Sequence, residues 1–147
     1  MGDDGSRLDR ELMELLNEVR VVLPGLSVLF AFLLTVPFTN RFTDLDRGQR
    51  GVFFTLFLFT FVSMLLLKAP SAYHRLRFRE RDKEALMRYA NVCTIAGIAS
   101  TGIAFSLAIF LATSMVFGNL PAWIASGTAA AMTLVLWFAV PIARKVT

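Results

Sequence analysis

Residues 89–143 read YANVCTIAGIASTGIAFSLAIFLATSMVFGNLPAWIASGTAAAMTLVLWFAVPIA, a run of 55 without Asp, Glu, Lys or Arg. The hydrocarbon core of a bilayer, about 30 Å thick, takes roughly 20 apolar residues per helix. The run is too long for one crossing and suits two. Gly118-Asn119-Leu120-Pro121 supplies an uncharged turn that splits it into a helical hairpin.

Two shorter uncharged runs precede it. Val21–Asn40 has 20 residues and Gly51–Leu67 has 17, each one span long. Apolar residues make up 56% of the 147, and the mean hydropathy is +0.61, far from a soluble domain. The predicted fold is all-α integral membrane, a single membrane domain with four transmembrane helices at 21–38, 51–67, 91–117 and 121–142. Two further helices are predicted at the cytoplasmic surface. In 6–20, Leu8, Leu12, Leu15, Leu16, Val19 and Leu23 form one apolar face, with Arg7/Glu11 and Arg10/Glu14 as i,i+4 pairs. Segment 68–90 is basic, and Pro70 can open a helix there. Pro24 is expected to bend the chain where the amphipathic helix enters the first span. The acidic start Met1-Gly2-Asp3-Asp4 lacks the basic stretch of a signal peptide, so the first span should remain as an anchor.

Basic residues orient the spans. Twelve lie in the N-terminal, 68–88 and C-terminal flanks, against three (Arg41, Arg47 and Arg50) on the other side. Both termini are therefore expected in the cytoplasm. Trp123 and Trp137 stand near opposite ends of the fourth span, as interfacial anchors do.

Small residues recur every four positions in the third span (Ala96, Ser100, Ala104, Ala108 and Ala112) and in the fourth (Ala122, Ser126 and Ala130). Such ladders let helices approach closely, so these two should form the tight contact. The second span, with Phe53, Phe54, Phe57, Phe59 and Phe61, is expected to face lipid.

No span contains a charge or a histidine, which weighs against proton-coupled transport. No nucleotide-binding or catalytic pattern stands out, so no enzyme and no cofactor is expected. Cys93 is alone, which excludes an intramolecular disulfide and gives too few ligands for a cysteine zinc site. His74, the one histidine, is an interfacial residue or a pH sensor. Nucleic-acid binding is not expected despite a pI of 9.8, because much of the charge lies against the membrane.

A passive pore needs no membrane charge. Thr94, Thr101, Ser106 and Thr113, with Ser114, are candidate pore-lining hydroxyls, although each can equally bond its own helix. Glu18 and Arg20 could flank an inner mouth or pair across protomers. Arg75, Arg77, Arg79 and Arg81 are candidate contacts to lipid headgroups. The leading expectation is a homo-oligomeric pore or ion channel, since one protomer cannot readily enclose a polar path. The alternative is a non-transporting accessory protein that binds partner proteins or anionic lipids.

The stretch Glu14-Leu-Leu-Asn-Glu-Val-Arg-Val-Val-Leu-Pro-Gly25, with Phe30-Ala-Phe-Leu-Leu-Thr-Val-Pro-Phe38 and Tyr73-His-Arg-Leu-Arg-Phe-Arg79, carries a resemblance. From about residue 10 to 143 the chain resembles a family of small bacterial, mainly actinobacterial, membrane proteins known as a domain of unknown function. The resemblance implies four spans in a bacterial plasma membrane. It implies no activity and no site residues.

Overall fold

The computed structural model describes residues 3–76 and 83–145, and among them every regular element is helical. Helix α1 is Asp3–Thr35, closed by a 3-10 turn at Val36–Phe38 that contains Pro37. A short α2 (Asn40–Thr43) leads into α3, Arg47–Leu76. Helix α4 is Lys83–Phe117. Helix α5 (Asn119–Leu134), a π turn at Val135–Ala139 and α6 (Val140–Lys145) follow without a break. Among the described residues, four stretches are long and apolar enough to cross a membrane: Val19–Phe38, Arg47–Tyr73, Ala85–Phe117 and Asn119–Ala139.

The helices run further than the charge gaps suggest. The expected amphipathic helix and first span are one helix, and α1 passes through Pro24 uninterrupted. Most side chains of the 6–20 apolar face lie outside the described residues; of that face, Val19 is buried and Leu23 packs beside it. Pro70 opens no new helix. It lies inside α3 and is fully buried. A proline removes one helical hydrogen bond, and α3 continues past it with the ring buried. Segment 68–90 is therefore the end of α3 and the start of α4, with 77–82 outside the described residues.

The centre of the fold is the α3–α4 pair, which shares the largest interface, followed by α4 with α5. About 28% and 33% of the apolar windows of α3 and α4 are buried, against 11% for the first and fourth spans, so the outer two flank the inner two. This corrects the expectation that the Phe-rich second span faces lipid. Phe54 and Phe61 do point outward, but Phe53, Leu56, Thr60, Ser63, Leu67 and Pro70 are buried. Their steps of 3, 4, 3, 4 and 3 make one continuous seam.

Two contacts set the register. A Cβ built at Gly97 would stand 2.8 Å from Leu67 Cγ. At the opposite end, Gln49 Nε2 donates to Ser114 Oγ at 3.2 Å. Both pairs fit antiparallel helices and bring Thr101 to the level of Ser63. The expected α4–α5 contact is also present. Ala122 and Ser126 are buried, Phe110 and Trp123 rings meet edge to face at 4.8 Å, and a Cβ at Gly102 would stand 2.7 Å from Thr133 Cγ2. Gly118 takes φ +86° and ψ −178° to turn α4 into α5.

The loop before α3 is tied down on several sides. Asp46 Oδ1 accepts from Gln49 N at 2.8 Å and Gln49 Oε1 from Asp46 N at 3.1 Å, a reciprocal cap. Arg50 donates to the Leu45 and Thr43 carbonyls. Leu45 is buried in one apolar cluster with Leu33 of α1, Phe53 and Leu56 of α3, and Leu111 of α4.

Candidate functional site

Hydroxyls crowd the α3–α4 seam, and most bond their own helix. Thr60 donates to the Leu56 carbonyl, Ser63 to Phe59 and Thr101 to Gly97, all at 2.8–2.9 Å. Thr101 is 2% exposed. A hydroxyl satisfied this way is free of any need for water and small enough to let backbones approach. Thr94 is buried too, and among the described residues its Oγ1 is the buried side-chain atom left without a partner.

The four candidate pore residues do not share a face. Thr94 and Thr101, seven apart, lie on the buried side of α4. Ser106 and Thr113, also seven apart, are half-buried. Five residues separate Thr101 from Ser106, which turns the second pair about 140° around the helix from the first. Ser106 donates to the Gly102 carbonyl at 2.9 Å, and Ser114 donates to Leu111 while accepting from Gln49.

A groove with a basic rim lies elsewhere, between the middle of α1 and the last third of α3. Its volume is about 980 Å³. Helix α1 contributes Val19, Arg20, Leu23, Pro24 and Ser27, positions one helical turn apart. Helix α3 contributes Leu65, Lys68, Ala69, Ser71, Ala72 and Arg75. The space exists because the facing residues are small. Ala69, Ala72, Ser27 and Ser71 stand where larger side chains would close the gap.

Arg20, Lys68 and Arg75 are exposed and give the groove three positive charges, and its described lining has no Asp or Glu. Arg20 is the last charge before the first span and Lys68 the first after the second. Antiparallel helices bring two such positions to one level. The sequence alone marks Arg20 and Arg75 as candidates; Lys68, Ser27 and Ser71 join them only once α1 and α3 stand side by side. The side chains of Glu18 and His74, and all of Arg77, Arg79 and Arg81, lie outside the described residues.

Beside the groove, the Tyr73 and Tyr89 rings meet at 5.1 Å, linking the end of α3 to the start of α4. Among the described residues no group of three or more His, Cys, Asp or Glu could hold a metal ion.

No curated protein and no solved structure matches the chain. A family model covers residues 3–141, nearly the whole length, and by that match the chain belongs to DUF6328, a family of unknown function.

Proposed function

We propose that this protein is a non-transporting accessory protein of the bacterial plasma membrane whose basic, cytoplasmic end engages anionic phospholipid. The observation that carries the reading is the groove between α1 and α3, with Arg20, Lys68 and Arg75 above an apolar lining. Cations at the membrane surface attract anionic headgroups, and the apolar residues below suit the start of an acyl chain. The excess of basic residues on this side supports a cytoplasmic placement. The burial of Thr94 and Thr101 and their separation from Ser106 and Thr113 favour this reading over a pore formed by several copies.

The test is reconstitution of the full chain into anionic and zwitterionic liposomes. The expected result is no ion flux above protein-free vesicles, with a thermal midpoint higher in the anionic membrane. Each surface cation contributes about 1 kcal/mol, so three predict a rise of roughly 5–10 °C. Flux with equal stability in both membranes would favour the pore instead.

A further inference from the structure

The groove has a geometry that a diffuse basic surface lacks. Its cations stand on both walls, Arg20 on α1 and Lys68 and Arg75 on α3. Lys68 and Arg75 are seven residues apart, on one face of α3 and separated by roughly 10 Å along its axis. A single phosphate would have to draw both long side chains to one point, whereas two joined phosphates let each cation take its own. Arg20, from the opposite wall, adds a third positive charge facing them. One turn further into the span, Leu23 and Leu65 line the same opening. They give acyl chains an apolar path away from the headgroup. Basic pockets between helices at this membrane level are suited to multiply charged headgroups.

We infer that the groove is a one-to-one site for an anionic phospholipid carrying two phosphates, gripped by Arg20 on one side and by Lys68 and Arg75 on the other. The inference rests on the lipid-engaging reading and narrows it to one ligand chemistry and one place.

Native mass spectrometry of the full chain in mild detergent tests it. The probes are cardiolipin (two phosphates), phosphatidylglycerol (one), phosphatidylcholine (zwitterionic) and inorganic pyrophosphate. One cardiolipin per chain should be retained, about tenfold more tightly than phosphatidylglycerol. Each cation is worth about fivefold, so Arg20→Gln/Lys68→Gln/Arg75→Gln should weaken retention roughly 100-fold. All three residues are exposed, so the variant should keep its helicity. Arg20→Lys/Arg75→Lys should keep most of the binding, and Arg41→Gln/Arg47→Gln, at the other end, all of it.

Equal retention of the two anionic lipids, or indifference to the triple substitution, overturns the site. In that case a higher stability in any anionic membrane would still leave the broader reading standing, and loss of all anionic preference would end both. Displacement of cardiolipin by pyrophosphate or by an acidic peptide such as polyglutamate at equal concentration would overturn the lipid as occupant.

Discussion

Gly97→Leu lowers the thermal unfolding midpoint by roughly 10 °C, an expected loss of about 3 kcal/mol. The cause is steric and local. Even the first carbon of a side chain at this position would lie 2.8 Å from Leu67 Cγ and 2.9 Å from its Cδ2. Leu67 has nowhere to go. It is 1% exposed and packs with Val19 and Leu26 of α1, with Met64 and Ile98 beside them. Relief therefore comes only by separating α3 from α4, which opens the largest interface in the fold. Gly97→Ala should lose about 1 kcal/mol or more, although alanine is the better helix former. Trimming the partner should rescue: Gly97→Ala/Leu67→Ala should be more stable than the sum of its single losses. Gly25→Ala is the control, since nothing lies within 4 Å of its Cβ position. Midpoints measured in one detergent decide it. A Gly97→Leu protein as stable as the parent would mean that α3 and α4 do not meet there.

Gly118→Ala should cost about 1–3 kcal/mol for a different reason. At φ +86° and ψ −178° its backbone occupies a region essentially reserved for glycine. Its Cβ would meet nothing within 4 Å, so the penalty is entirely backbone strain and no trimming of neighbours can relieve it. Asparagine, which tolerates the left-handed helical region, should do no better at this ψ. The same thermal assay applies, with Gly127→Ala as the open-space control. A midpoint unchanged in both Gly118→Ala and Gly118→Asn would show that the hairpin turns differently.

These glycines mark how far the fold was legible in sequence. Gaps between charges located all four candidate spans, and Gly118-Asn119-Leu120-Pro121 located the hairpin, because a bilayer and a turn each impose a length or a residue type. Packing partners were less legible. Five phenylalanines hid the seam in α3, where Thr60 and Ser63 alternate with Leu56 and Leu67 at steps of three and four. Residue size suggested a lipid-facing helix, and helical phase shows a central one. Pro70 looked like a helix start because its cost is set by neighbours that sequence does not display. The hydroxyls of α4 were grouped by type, but Thr101 and Ser106 belong to different faces. The groove needed two helices brought to one level, so Arg20 and Lys68, nearly fifty positions apart, gave no local pattern.

The central claim is that the hydroxyl seam of α4 is sealed against α3, while a groove with a basic rim opens between α1 and α3. Thiol accessibility tests it most directly. In a Cys93→Ala background, Thr101→Cys, Ser71→Cys and Thr43→Cys would each be exposed to a charged, water-soluble thiol reagent in phosphatidylcholine nanodiscs, which hold no anionic lipid to fill the groove and leave both faces reachable. Cys93 is the one native thiol, and it is buried. Ser71→Cys in the groove and Thr43→Cys at the exposed end of α2 should react fully while Thr101→Cys stays unmodified. Modification of Thr101→Cys as fast as Ser71→Cys would place water in the seam and contradict it.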